Sequence, residues 1–188
     1  MSKYHSVQKP TRKNNTPQIL WGLGIALIVV SLGYIYWSEQ KNAQAAKTYQ
    51  AGDVATIQPI LAIHGMGEGP AIPFLPKGEP QPRIVIPETS YDFGTIGTKD
   101  VVEQTFMIRN TGEAPLTISR AYTTCGCTTA EISASVIPPG SVATVKLIFD
   151  AGFHDATGQT VRRGLIIENN DRERSQAEIW IQATVASS

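Results

Sequence analysis

An all-β fold, an Ig-like β-sandwich of about seven strands, is what the sequence predicts for residues 83–188, and three observations predict it. From Arg83 onward apolar residues recur with a period of two, the spacing of a strand that buries one face. Turn chemistry interrupts the runs often, at Asn110-Thr111-Gly112 and Pro138-Pro139-Gly140 among others. No stretch of this region spaces its apolar residues as an amphipathic helix does, and many short strands without helices pack as two sheets. A body of about a hundred residues buries an adequate core without disulfide staples.

The chain begins differently. Residues 1–18 hold Lys3, Lys9, Arg12 and Lys13 and no acidic residue. From Ile19 to Trp37 no side chain is charged. At ~1.5 Å rise per residue such a helix is close to the ~30 Å hydrocarbon core of a bilayer. Trp21 stands at one end and Tyr34, Tyr36 and Trp37 at the other, where amphipathic rings favour the headgroup region. Residues 19–38 are therefore expected to be a single transmembrane helix, with the lipid bilayer as its partner. Beyond it Glu39, Lys41, Lys47 and Asp53 nearly cancel, so the positive-inside rule places residues 1–18 in the cytoplasm. Everything after Ser38 is then periplasmic or extracellular. Ala43-Gln44-Ala45 fits the pattern of a signal-peptidase site, but the apolar run exceeds the usual ~7–15 residues of a cleaved signal. Under either reading the folded part is exported and its cysteines meet oxidising surroundings.

Residues 39–82 are expected to be a helical extension followed by a Pro/Gly spacer. "SEQKNAQAAKTYQ" is rich in helix formers, and Gly52 is a plausible stop. Six prolines from Pro59 to Pro82, with Gly65, Gly67, Gly69 and Gly78, exclude a helix or a central strand. The apolar residues Ile60, Leu61, Ile63, Ile72, Phe74 and Leu75 are too many for a solvated linker. They pack on the following domain or dock on a neighbouring membrane protein, with packing the favoured reading.

Within the sandwich, "RIVIP" and "YDFGTI" are short strand-like runs. In "VVEQTFMIRNTG" Val102, Phe106 and Ile108 share a face opposite Glu103, Thr105 and Arg109. "PLTISRAYTT" turns Leu116 and Ile118 inward, and "SVATVKLIFD" aligns Val145, Leu147 and Phe149. "VRRGLIIENN" and "AEIWIQATV" complete the set, joined by the polar tip Asn169 to Arg174. The antibody hallmarks, an inter-sheet cysteine pair and a core tryptophan, are missing.

"YDFGTI", "VVEQTFMIRNTGEAPLTI", "TTCGCTTAEI", "IPPGSVATVKLIFD" and "GLIIENND" together resemble a bacterial family of unknown function, domain-of-unknown-function family 1573. Its domain is similar to the Hydin-type (ASH) Ig-like domains. The resemblance covers about Ile84 to Val185 and implies an exported or membrane-tethered sandwich. That family has no settled activity, so no catalytic residue carries over. The Cys-Gly-Cys segment is a recurrent feature of it, which makes Cys125 and Cys127 the leading site candidates.

Cys125 and Cys127 are the only cysteines, and three readings compete for them. The first is a disulfide. Residues two apart in an extended strand place their Cα atoms ~6.6–7 Å apart, at the limit for bridging, and Gly126 can supply the bend. So small a ring contributes on the order of 1.5 kcal/mol of chain entropy, a poor reason for a structural bridge and a better one for a labile redox couple. The second is a soft metal, copper(I) above all, with His154 or the spacer's His64 and Met66 as further ligands. The third is a plain turn in which Gly126 kinks the chain and the sulfurs pack at a sheet end.

Trp180 stands apart from the buried face Ala177, Ile179, Ile181, Ala183 and Val185, so an outward indole is a candidate anchor for a partner. The alternatives are cover from the spacer or a bulge that turns it inward. Arg162, Arg163, Arg172 and Arg174 read as solvated charges offset by Glu168, Asp171 and Glu173. Asp92, Asp150 and Asp155 sit where carboxylates cap turns. No hydrolase triad order, zinc-protease, Walker or dinucleotide signature is present, and no enzymatic activity is expected. With Lys+Arg 16 against Asp+Glu 16, no nucleic-acid partner is expected either. The function this predicts is a membrane-anchored, non-catalytic binding or assembly module outside the cytoplasm, accessory to a membrane complex and with a protein partner there. The alternative is an exported thiol-redox or copper-handling factor that uses Cys125 and Cys127.

Overall fold

The computed structural model describes residues 51–65 and 67–187. The basic tail, the expected transmembrane helix, the Ala43-Gln44-Ala45 motif and Met66 lie outside them. Among the described residues no helix is long and apolar enough to cross a membrane.

A 3₁₀ turn at Ala51–Asp53 precedes ten strands: β1 (Ile60–Ala62), β2 (Ile84–Val85), β3 (Ser90–Ile96), β4 (Val101–Asn110), β5 (Leu116–Thr123), β6 (Thr128–Ile132), β7 (Val136–Ile137), β8 (Val142–Asp150), β9 (Thr160–Asn169) and β10 (Gln176–Val185). They form two five-stranded sheets, β1-β6-β8-β4-β2 and β3-β10-β9-β5-β7. All neighbours are antiparallel except β3 and β10. The all-β class is as expected. The count exceeds about seven because β1, β6 and β7, two to five residues long, lie outside the seven runs that alternation marks and are too short to display a period.

Alternation places the core. Phe106 and Ile108 of β4, Leu116 and Ile118 of β5, Val145, Leu147 and Phe149 of β8, and Ile179, Ile181, Ala183 and Val185 of β10 all turn inward and are buried. Glycine is required at two places along these strands. Gly94 adopts φ +68°, where the register of β10 against β3 shifts, and Asp92 Oδ1 accepts its N–H at 2.8 Å. A Cβ at Gly112 would collide with the backbone of Gln81 to Arg83, which passes against that turn. Asp150 and Asp155 cap turns as expected, Oδ1 of each accepting an N–H two residues on, from Gly152 and Thr157.

The segment that composition places in the spacer lies along the sandwich. Val54 bridges Val142, and β1 pairs with the edge of β6 through Ile60↔Ile132, Leu61↔Glu131 and Ala62↔Ala130. Thr123 N–H then donates to the Ile63 carbonyl at 3.2 Å, and Gly69 presses on the Arg120 and Glu168 side chains. Phe74 stacks under Arg172, whose guanidinium donates to the Leu75 carbonyl. Ala62 is fully buried, while Ile57, Leu61 and Ile63 remain exposed. The expected packing therefore holds for part of the segment and fails for its outward residues. Pro59 stands immediately before β1, and a proline-flanked strand belongs at a sheet edge.

The polar tip also differs from expectation. Asp171 is 3% exposed, not solvated, because its carboxylate accepts the N–H of Ile84 at 2.9 Å and of Glu173 at 2.9 Å. Asn170 Oδ1 accepts the Thr117 N–H at 2.7 Å, and Asn110 Nδ2 donates to the carbonyls of Ala114 and Ile137. These buried amides and carboxylate join the ends of both sheets, and each finds its partners. Arg83 forms an exposed bidentate pair with Glu173 at 2.8 and 2.9 Å.

Candidate functional site

Cys125-Gly126-Cys127 forms the turn from β5 in one sheet to β6 in the other. The chain bends at Gly126, so the two Cα atoms lie 5.3 Å apart and the sulfurs are joined in a disulfide. Of the three readings the sequence leaves open, the structure takes the bridge. Its backbone is held by other bonds as well. The Thr123 hydroxyl lies 2.8 Å from the Thr128 carbonyl and 3.0 Å from that of Cys125. Thr128 N–H closes the turn on the Cys125 carbonyl, and Asp150 N–H donates to the Cys127 carbonyl at 2.9 Å.

The two sulfurs are not equivalent. Cys127 is 4% exposed and belongs to the core cluster, whereas Cys125 is only partly buried beside an exposed Gly126. Cys127 Sγ accepts a hydrogen bond from Arg163 Nε at 3.2 Å, while Cys125 Sγ accepts from the Cys127 N–H at 3.2 Å. The Thr128 hydroxyl stands 3.4 Å from Cys125 Sγ. Arg163 Nη1 donates to the Arg162 carbonyl at 3.0 Å, which fixes the guanidinium in that pose. The Phe153 ring lies over Gly126, 3.2 Å from where a Cβ would stand.

Arg163 is the residue that composition-level reading misses, since it is half-buried. Alternation in "VRRGLII" carries the signal. Val161, Leu165 and Ile167 are buried on one face of β9, and Arg163 lies on that same face. Its charge enters the end of the sandwich, where a sulfur receives it. Arg162, one residue earlier, points outward and lies over the Trp180 ring at 4.7 Å.

The other candidates are dispersed. His64 is exposed and its Nδ1 donates to the Thr123 carbonyl at 3.0 Å, two residues before Cys125. The His154 ring meets Phe153 edge-on at 4.7 Å between centroids. Among the described residues no group of three or more His, Cys, Asp or Glu is gathered closely enough to hold a metal ion. Trp180 is half-buried on the outer face of its sheet. Its indole lies against Gly164, where no side chain other than glycine leaves room, and Nε1 donates to Glu178 Oε2 at 3.0 Å. A recess of about 270 Å³ lies beside it, lined by Tyr91, Asp92, Arg162 and Gln182.

A larger groove of about 590 Å³ crosses the outer face of the sheet that β1 extends. Leu61, Glu131, Lys146 and Thr105 stand side by side across four strands along it. Leu61 is 66% exposed, and Met107 and Val101 add apolar surface to the same face, while Ile63, 57% exposed, lies past the end of β1. Lys146 pairs with Glu103 at 2.9 Å, which leaves the face without a strong net charge.

Among curated proteins none matches the chain. Several solved structures are similar to it at low identity. A protein of unknown function from Porphyromonas gingivalis W83 is 22% identical over 56% of this chain, with a TM-score of 0.48; the chain spans 46% of that protein, less than half its length. The ASH / PapD-like domain 7 of human CEP192 is 11% identical over 66% of this chain and 99% of its own, with a TM-score of 0.41. The YadV chaperone is 17% identical over 54% of this chain and 51% of its own, with a TM-score of 0.39. The model of one family, "Protein of unknown function (DUF1573)", matches residues 84–185, just over half the chain and the same span that carries the motifs quoted above. The chain belongs to the DUF1573 family.

Proposed function

We propose that this protein is a membrane-tethered, non-catalytic binding module whose sandwich stands outside the cytoplasm as an accessory to a membrane complex. One observation carries the reading. Strand β1 adds itself to the sheet edge and turns Leu61 outward along the 590 Å³ groove, with Ile63 exposed just past the strand's end. An exposed branched side chain on an edge strand, with a second just past it, offers a partner both apolar contact and an open strand edge. The uncharged run Ile19 to Trp37 lies not far upstream in the chain, so a partner embedded in the same membrane fits this face best. Trp180 enters as a secondary contact, since its ring is already engaged by Gly164 and Arg162 and only part of it faces the smaller recess.

Co-purification from membranes in mild detergent tests the reading. The doubly substituted Leu61→Asp/Ile63→Asp protein should lose its partner and keep its fold, because both side chains point away from the core. Trp180→Ala should weaken recovery without abolishing it. Undiminished recovery with both aspartates in place would end the proposal.

A second reading is favoured by the Arg163 contact to Cys127. It makes the protein an exported thiol-redox factor. A copper-handling role would require the same two sulfurs in reduced form, with His64 or His154 brought to them.

A further inference from the structure

We propose that the Cys125–Cys127 bridge is a directional disulfide donor to dithiols, in which Cys125 is the sulfur attacked and Cys127 is the leaving thiolate held by Arg163. This rests on the redox reading and goes beyond partner binding. Three observations carry it. Attack needs access, and Cys125 is the less buried of the two cysteines, beside a residue with no side chain, while Cys127 is 4% exposed. Departure needs a stabilised thiolate, and the fixed guanidinium donates to Cys127 Sγ and not to its partner. A cationic donor beside sulfur lowers the thiol pKa, and a thiol of lower pKa leaves faster. Opening must leave the turn intact, and Thr123, Thr128 and Asp150 hold its backbone without the sulfur–sulfur bond. A three-residue loop constrains the unfolded chain little, so stability does not account for the bridge.

The exchange proceeds in two balanced steps. One thiolate of a dithiol attacks Cys125 Sγ; a mixed disulfide forms, the sulfur–sulfur bond breaks, and its electron pair goes to Cys127 Sγ beside Arg163. The second thiolate of the dithiol then attacks its own neighbour's sulfur in the mixed disulfide and expels the Cys125 thiolate. The dithiol is oxidised to a disulfide, the bridge is reduced by two electrons, and the two thiol protons pass to the cysteines or to solvent. The fit is to a dithiol on an exported protein or small molecule, presented at the turn beneath Phe153.

Mapping the first step tests the direction. The oxidised full-length protein is exposed to reduced glutathione, quenched with a maleimide and digested for peptide mass analysis. Glutathione should be found on Cys125 and the maleimide on Cys127. The reverse assignment, equal labelling of both, or a bridge that glutathione and dithiothreitol do not open would overturn the proposal. Opening by dithiothreitol should slow about tenfold in Arg163→Gln and largely recover in Arg163→Lys. Equal rates in the wild type and Arg163→Gln would remove Arg163 from the mechanism. The Leu61→Asp/Ile63→Asp protein should exchange normally. Loss of exchange with partner recovery intact overturns this inference alone, and lost recovery with normal exchange overturns only the docking reading.

Discussion

Residues 171 and 173 lie two positions apart in one hairpin tip, yet they carry charge in opposite circumstances. Asp171 is buried, and its two oxygens satisfy the N–H groups of Ile84 and Glu173. Replacing it with alanine leaves a buried donor on β2 without a partner. Asp171→Ala should destabilise the sandwich by about 1–3 kcal/mol in chemical denaturation, where Arg172→Ala should change little. Glu173 is exposed, and the hydrogen bond from Arg83, with the charge of that guanidinium, holds its carboxyl below the usual carboxylate range. A folded-state pKa below the unfolded one contributes stability that is present above the unfolded pKa and is lost as pH falls through the folded one. Melting temperature should therefore fall slightly less toward acid pH in Glu173→Gln than in the wild type, with the two curves parallel at neutral pH. Alternation alone places Arg163 inward, a signal that is lost when Arg162 and Arg163 are read together as solvated charge. The burial of Asp171 was not legible, since its partner Ile84 lies 87 residues away and no local pattern links them.

Among the elements, the long strands were readable and most of the short ones were not. β4, β8 and β10 run for nine or ten residues, enough for period two to name their buried faces before any coordinates. β1, β6 and β7 are too short to show a period, and Pro59 just before β1 argues locally against pairing. What recruits β1 is tertiary: an otherwise open edge on β6 and a place in the core for Ala62. Its docking should be separable from the rest of the fold. Ala62→Asp puts an unpaired carboxylate into that core position, which is costly enough to detach the segment. Amide hydrogen exchange should then speed in residues 60–64 and in β6, while β9 and β10 stay protected. Uniform loss of protection in all strands would mean that β1 belongs to the cooperative core. The Cys125–Cys127 turn was legible as a site because it holds the only cysteines, but choosing the bridge over free thiols required the bend at Gly126.

Taken as a whole, the molecule presents two unlike faces. On one, the segment before β2 crosses Arg120 and Glu168, and Trp180 is engaged by Gly164 and Arg162. On the other, Leu61 lines a groove, and among the described residues Val101 and Met107 are exposed on the same sheet face beside the Lys146–Glu103 pair. The family match covers residues 84–185, so β1 and its outward side chains belong to the part of this chain that the family model does not describe. A partner specific to this protein would use that part. Photo-crosslinking in intact cells tests this most directly, with a photoreactive residue placed at Leu61 and, separately, at the exposed Lys77. The account predicts one discrete adduct in the membrane fraction from position 61 and none from position 77. No adduct from position 61, or the same adducts from both positions, would contradict it.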